Sequence, residues 1–198
     1  MLRQGGWPII PLAICSITAL AIIVERAFAL RHANVLDQRV RQVVESYQGE
    51  DSAERALHVC MQCRGPFARI IEAVLRARHL DSEHMIEKMH ATGRTQIGTL
   101  ERGLTVLEII AGISPLIGLL GTVLGMVTVF DAINAQGMGN PQVLSGGISQ
   151  ALITTVVGLC VAIPALAFHS YFSARVEDYA DEMHEIAVTF MNHIRQRR

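Results

Sequence analysis

A small set of polar side chains interrupts the long apolar stretches in the second half of the chain. Its members are Ser114, Thr122, Thr128, Ser149, Gln150, Thr154 and Thr155. Hydroxyl and amide groups can hydrogen-bond water or ions inside a membrane pore. A threonine in a membrane helix can equally bond a carbonyl of its own backbone and line nothing. The chemistry of Thr122 and Thr155 therefore leaves two interpretations open, a pore lining and an ordinary helix residue.

A C-x-x-C pair is the second candidate for chemistry, formed by Cys60 and Cys63 with His58 just before it. Such a pair is half of a structural zinc site, or a redox couple. Neither a second C-x-x-C nor a paired histidine completes four ligands. We therefore predict no metal and no cofactor, and two reduced cysteines in a cytosolic helix. Without a nucleophile triad, a phosphate loop or paired carboxylates, we also predict that the protein is not an enzyme.

Charged residues are missing from the apolar stretches, and this absence limits what the chain can do by itself. Glu108 and Asp131 lie at opposite ends of the second stretch, where water can reach them. A carboxylate or an amine deep in the membrane is the usual carrier in a proton relay. A channel formed by this chain would therefore need a partner that brings the carboxylate, or a pore that conducts through water.

These side chains must be positioned by membrane helices. Hydrophobic residues make up 51% of the chain and charged residues 18%, below the roughly 25% of soluble domains. Residues 5–24, 109–130 and 146–172 are each long enough to cross about 30 Å of hydrocarbon. A cleaved signal peptide is the alternative for the first of them, but its apolar run exceeds the usual ~7–15 residues. We predict three transmembrane helices.

The distribution of basic residues predicts the orientation of the three spans. Twelve basic residues lie between the first two spans, and Arg175, Arg195, Arg197 and Arg198 follow the third, whereas residues 131–145 contain none. Basic loops remain on the cytoplasmic side. The N-terminus is therefore predicted to be periplasmic, and the large loop and the C-terminus cytoplasmic.

The predicted fold class is all-α, an integral membrane protein with a cytoplasmic helical bundle. The predicted segments are a first transmembrane helix (1–30), a cytoplasmic helical domain (31–103), a second transmembrane helix (104–131), a periplasmic loop (132–145), a third transmembrane helix (146–172) and a cytoplasmic C-terminal helix (173–198). In the cytoplasmic domain, apolar periodicity and breakers predict helices over 35–48, 52–63 and 67–80, and one from 81 or 82 through 104. An apolar stripe from Val176 to Ile194 predicts that the last helix packs on this bundle or on neighbouring subunits.

Small residues on the second span predict close helix packing. Gly118, Gly121 and Gly125 recur at three- and four-residue steps, with Thr122 among them. Glycines let two backbones approach, and tight packing replaces the hydrophobic drive that is missing between helices in lipid. Pro115 and Pro164 each remove one backbone hydrogen bond, which a helix bundle tolerates.

Two sequence strings closely resemble the MotA/TolQ/ExbB proton-channel family. The first is G-L-L-G-T-V-L-G at residues 118–125, preceded by Pro115, and the second is G-I-S-Q-A-L-I-T-T-V-V-G-L-C-V-A-I-P-A at residues 147–165. The three-span plan and the helical loop are also similar, so the likeness covers nearly the whole chain. Its length resembles the ExbB/TolQ branch, because the MotA branch carries a further span.

The resemblance implies a pentamer that surrounds the single transmembrane helices of a partner dimer similar to ExbD or TolR. The partner's intramembrane Asp would carry the proton, and a TonB- or TolA-like periplasm-spanning protein would receive the motion. By position, Thr122 and Thr155 match the family's pore-facing threonines, and Thr154 and Gln150 are further candidates for the proton pathway. Gly118, Gly121, Gly125, Gly158, Pro115 and Pro164 are the expected packing residues.

One position departs from the family pattern. Gln150 stands where ExbB and TolQ proteins commonly have a glutamate, so this subunit is expected to contribute an amide there instead of an acid. The predicted function is a cage subunit of a proton-driven motor in the bacterial inner membrane, in contact with membrane lipid and not with nucleic acid. The alternative is a non-conducting membrane scaffold.

Overall fold

Helices account for all regular secondary structure in the residues that the computed structural model describes, 7–136 and 141–196. They are α1 (Ile9–Ala29), α2 (His32–Val35), α3 (Gln38–Glu45), α4 (Glu50–Gln62), α5 (Pro66–Arg76), α6 (Ser82–Leu100), α7 (Leu104–Gln136) and α8 (Pro141–Gln196). Three of them, α1, α7 and α8, contain a segment long and apolar enough to cross a membrane. The predicted fold class is confirmed. Gly5 and Gly6, at the start of the first predicted span, and Arg197 and Arg198 lie outside the described residues.

The chain forms two compact units. The membrane unit comprises Met1–Val24 and Gly103–Tyr171, and the bundle unit comprises Glu25–Arg102 and Phe172–Arg198. The long helix α8 contributes its first part to the membrane unit and its last part to the bundle unit.

The membrane unit has a small apolar core where three helices meet. Ala19 of α1, Leu107, Ile110 and Ala111 of α7, and Ala165 of α8 are buried there. The opposite side of α1 stays exposed, with Ile14 and Ile17 more than 60% accessible. Large exposed apolar side chains on a helix of this length are suited to lipid or to further copies of the chain.

The bundle unit is built around α5, whose apolar side chains are buried almost without exception. Its one buried acid, Glu72, accepts hydrogen bonds from Arg69 (3.1 Å) and Arg76 (2.9 Å), because a buried carboxylate needs partners. The last part of α8 packs in the same unit through a buried stripe. Its members are Val176, Tyr179, Met183, Ala187, Phe190 and Ile194. This confirms the predicted packing of the C-terminal stripe.

The helix predicted over 35–48 is interrupted, and Asp37 explains the interruption. Asp37 caps α3 by accepting a hydrogen bond from the Arg39 backbone N–H (2.9 Å), so the helix begins again at Gln38. The side-chain hydrogen bond from the Arg39 guanidinium lowers the pKa of Asp37 to about 2. The carboxylate therefore stays charged as a cap across the physiological range.

The helix predicted to continue from 82 through 104 ends at Leu100, and the prediction is wrong there. Gly103 has φ +87°, a left-handed conformation that favours glycine and separates α6 from α7. The buried Arg26 donates a hydrogen bond from Nη1 to the Leu100 carbonyl (2.9 Å). A cation that satisfies the last carbonyls of α6 stabilises this helix end.

Several further boundaries differ from the predicted ones, and α3 ends at Glu45 instead of residue 48. Helix α5 ends at Arg76, four residues before the predicted end. Helices α7 and α8 extend into the predicted loop at 132–145, of which residues 137–140 lie outside the described residues. The segments predicted as 146–172 and 173–198 are one continuous helix. The composition changes from apolar to amphipathic near residue 172, but no glycine or proline lies there to end the helix.

Candidate functional site on the α7–α8 helix pair

Helices α7 and α8 approach each other along the predicted glycines. A Cβ atom on Gly118 would lie 3.0 Å from the Thr154 carbonyl oxygen and 3.1 Å from Thr155 Cα. One on Gly125 would lie 3.0 Å from Ala151 Cβ, and one on Gly158 would lie 2.7 Å from the Ser114 carbonyl oxygen. Residues late in α7 meet residues early in α8, so the pair is antiparallel. Larger side chains would force the two backbones apart.

Thr154 lies at the closest point of this contact. Its side chain is fully buried, and its hydroxyl donates to Ala151 O (2.8 Å) and more distantly to Gly118 O (3.4 Å). A Cβ atom on Gly121 would overlap both Oγ1 and Cβ of Thr154. Thr154 therefore packs between the two helices, and its role in the proton pathway stays a prediction.

Thr122 and Thr155 lie beside this contact, both half-buried. Thr155 donates from Oγ1 across the pair to Gly118 O (3.3 Å). Thr122 lies one turn beyond Gly118 on the same face of α7, and its hydroxyl bonds Leu119 O of its own helix (2.6 Å). Thr122 therefore hydrogen-bonds a backbone carbonyl of its own helix, whereas Thr155 hydrogen-bonds a carbonyl of the neighbouring helix.

The two threonines share one flank of the pair. The cluster that contains Ala19 of α1 also holds Leu107, Ile110 and Ala111 of α7 and Ala165 of α8. At 100° per residue, Ala111 lies about 20° around α7 from Thr122 but about three turns away along the helix. We call the side that carries Thr122 and Thr155 the threonine flank. No member of that cluster lies within one helical turn of Thr122 or Thr155.

Gln150 is not brought together with the threonines. It precedes Thr155 by five positions, which places it about 140° further around α8. It lies beyond the buried Thr154, on the side of the pair opposite the threonine flank, and is half-buried.

The two prolines leave their helices continuous. Pro115 lies inside α7 and Pro164 inside α8. Pro115 is half-buried, and it lies seven positions before Thr122 and hence on the threonine flank. Pro164 is exposed on α8. The pore and packing roles inferred for the individual residues remain predictions.

Sequence reasoning missed three features of this site. Gly147 packs against α7, where a Cβ atom would overlap Val129. The Ser114 hydroxyl is buried and has no hydrogen-bond partner in the described part of the chain. His169 Nε2 of α8 lies 4.0 Å from Glu108 Oε2 of α7. The last two depend on how the helices align, which no single-helix pattern reveals.

The C-x-x-C pair lies in the core of the bundle unit. Cys60 and Cys63 are both buried. Burial raises the pKa of the Cys60 thiol to about 12, and burial together with a hydrogen bond to Asp37 raises the pKa of Cys63. Protonated thiols are poor nucleophiles and poor metal ligands. No group of three or more metal-binding side chains occurs among the described residues.

Comparison with known proteins identifies the chain's relatives. Residues 62–185 match the family described as the MotA/TolQ/ExbB proton channel family. The chain is 36% identical over 172 residues to the biopolymer transport protein ExbB-like 1 of Synechocystis sp.. The aligned region covers 82% of this chain and 65% of that protein. It is 33% identical to the biopolymer transport protein exbB1 of Vibrio cholerae, covering 83% and 74% respectively.

A third relative comes from the Tol-Pal system. The chain is 30% identical over 185 residues to the Tol-Pal system protein TolQ of Haemophilus influenzae, covering 86% of this chain and 81% of that protein. The family match from the end of α4 into α8 and the three apolar helices agree with the resemblance of the two sequence strings. This chain is an integral membrane protein that belongs to the ExbB/TolQ branch of the MotA/TolQ/ExbB proton channel family.

Proposed function

We propose that the chain is the cage subunit of a proton-driven motor in the bacterial inner membrane. Five copies would surround the transmembrane helices of an ExbD/TolR-like dimer, with the N-terminus periplasmic and the C-terminus cytoplasmic. The observation that supports the proposal most is the threonine flank. It is a polar strip on a largely apolar helix pair, and the cluster that holds α1 lies more than one turn away along both helices.

The charge distribution of the membrane unit supports a division of labour with a partner. Its described acids, Glu108 and Asp131, lie near the two ends of α7, far from the level of Thr122 and Thr155. A proton crossing this region requires a titratable group or a continuous chain of hydrogen-bonded water molecules, which we call a water file. The partner's intramembrane Asp would supply that group, and this chain would supply the wall.

The threonine hydroxyls would hold the water that carries protons to and from the partner's carboxylate. A hydroxyl has one donor and two acceptor sites. Thr122 Oγ1 and Thr155 Oγ1 each donate to a backbone carbonyl, which leaves their lone pairs able to accept from water. Gln150 lies on another side of α8, so its amide would contact a neighbouring copy or a second face of the partner.

Close packing of α7 on α8 would keep the wall rigid while the enclosed helices move. Proton flow would drive that motion, and a TonB- or TolA-like protein would deliver it to the periplasm. The names of the relatives, biopolymer transport and the Tol-Pal system, point to transport or envelope maintenance as the work performed.

Purification of the intact membrane complex tests the composition of this assembly. We expect a small protein with one transmembrane helix and one Asp within it to co-purify, and native mass measurement to give five copies of this chain. Recovery of the chain in full yield without any single-span protein, or a different copy number, would contradict the proposed cage.

A non-conducting scaffold is the second candidate, favoured by the glycine contact between α7 and α8 and by the amphipathic end of α8. The two candidates differ in their need for energy. Collapse of the proton gradient with an uncoupler, at constant ATP, should stop the output of a motor within seconds. A scaffold would retain full output under the same conditions.

A further inference from the structure

We propose that His169 and Glu108 form a proton relay at one end of the threonine flank. The proposal deepens the proposed function and rests on it, because it assigns a proton-transferring pair to the cage subunit itself. In the predicted orientation this end of the helix pair is the cytoplasmic one. The pair would pass protons between the water file inside the cage and the water outside it.

The helical register places this pair on the threonine flank. Glu108 precedes Thr122 by fourteen positions, and His169 follows Thr155 by fourteen positions. Fourteen residues make close to four turns and about 21 Å, so each residue stays within about 40° of its threonine. The 3.3 Å bond from Thr155 to the Gly118 carbonyl fixes the register at one level. In an antiparallel pair with this register, the residues fourteen positions before Thr122 and fourteen positions after Thr155 lie at the same level, and His169 and Glu108 do approach to 4.0 Å there.

The surroundings of the pair hold few other titratable groups. The α7 and α1 residues at this level, Leu107, Ala111 and Ala19, carry no charge, and Cys15 is the nearest titratable group of α1 in that core. Tyr171 lies two positions beyond His169 on α8. Asp131 is the other acid in the described part of the membrane unit, and it lies near the far end of α7. Within the described part of the membrane unit, His169 and Glu108 are therefore the acid and the base that approach each other at this end of the helix pair.

Stability alone does not account for the pair. The side chain of Glu108 is 66% exposed and that of His169 is 21% exposed. A contact that is open on one side contributes little to folding. The difference in exposure does suit a relay, because His169 lies against the helix pair and Glu108 is open on its outer side.

The transfer needs no chemistry beyond proton exchange. The neutral imidazole, with its hydrogen on Nε2, takes a proton from the water file at Nδ1 and becomes an imidazolium. The imidazolium passes its Nε2 proton to the Glu108 carboxylate, and the resulting carboxylic acid releases it to external water. Exchange with water then returns the imidazole hydrogen from Nδ1 to Nε2, so both side chains regain their starting states and one proton has moved. Since 4.0 Å exceeds a hydrogen bond, one bridging water or a side-chain rotation must complete the contact.

Proton flux measured against pH tests the relay. The complex of the full chain with its co-purifying single-span partner is placed in proteoliposomes that contain a pH-sensitive dye, and a potassium diffusion potential drives uptake. We expect His169→Gln to lower flux several-fold near pH 7.5 and little near pH 5.5, where free protons are abundant enough to bypass the relay.

Three further variants sharpen the test. Glu108→Gln should reproduce the loss, and the double variant should be no worse than either single one, because both residues serve one step. His58→Gln, a matched change at an exposed histidine of α4, should leave the flux profile unchanged. A wild-type profile in both His169→Gln and Glu108→Gln, or an equal loss at every pH, would overturn the relay while wild-type flux still supports the channel. A wild-type complex that conducts no protons would overturn both.

Discussion

Replacement of Gly121 by alanine is expected to separate α7 from α8 and to abolish assembly of the complex. The new Cβ would lie 2.6 Å from Thr154 Cβ and 3.0 Å from Thr154 Cγ2, where carbon atoms normally stay about 3.5–4.0 Å apart. Thr154 cannot easily turn away, because its hydroxyl bonds Ala151 O and its branched side chain is stiff within a helix. Overpacking of this kind typically costs about 1–3 kcal/mol, and a symmetric assembly repeats it in every copy.

A matched substitution separates this clash from the intrinsic effect of alanine. Gly112→Ala lies on the same helix, and a Cβ atom there meets nothing within 4 Å. Alanine at an open helix position is favourable by up to about 1 kcal/mol. The unfolding temperature in detergent and the mass of the complex should therefore fall for Gly121→Ala and hold for Gly112→Ala. Removal of the opposing side chain in Gly121→Ala/Thr154→Gly should restore the complex in part, whereas normal assembly of Gly121→Ala would refute the tight contact.

Replacement of Thr155 by valine is expected to lower output driven by the proton gradient by about tenfold or more, with the complex still assembled. Valine keeps the shape and removes the hydroxyl, which bonds Gly118 O at 3.3 Å and would also contact pore water. Such a bond between membrane helices is worth only about 0.6 kcal/mol on average. Assembly should therefore survive the change, while a gap in the water file would slow every proton.

Two variants show whether the loss arises from the missing hydroxyl. Thr155→Ser restores the group and should recover most of the output. Thr18→Val removes a hydroxyl from α1 that bonds only Ile14 O of its own helix (2.8 Å), and it should have no effect. Thr122→Val should act in the same direction as Thr155→Val. Unchanged output in both Thr122→Val and Thr155→Val would remove the threonine flank from the proton path.

The spans and the glycine contact could be predicted from the sequence because each depends on a local pattern. A run of about 20 apolar residues usually forms a membrane-spanning helix. Gly118, Gly121 and Gly125 lie on one side of any helix that contains them. The breaks at Asp37 and Gly103 were harder to predict. Apolar periodicity continues on both sides of each, and the deciding contacts are a cap and a left-handed glycine.

The arrangement of the site depended on how the helices align, which the sequence does not reveal. Helix α1 is apolar on all sides, so nothing in its pattern predicts that it packs near Ile110 and Val161. The burial of Thr154 and the half-exposure of Thr155 follow from that alignment, although the two threonines are adjacent in sequence. The pairing of His169 with Glu108 likewise requires the antiparallel register of α7 and α8.

The central claim is that this chain forms the wall of a proton path whose carrier belongs to another protein. Proton uptake by proteoliposomes that contain the complex tests it most directly, with the partner either intact or carrying Asn in place of its intramembrane Asp. We predict rapid uptake with the intact partner, and none with the Asn variant or with this chain alone. Equal uptake in all three preparations, or none in any of them, would contradict the claim.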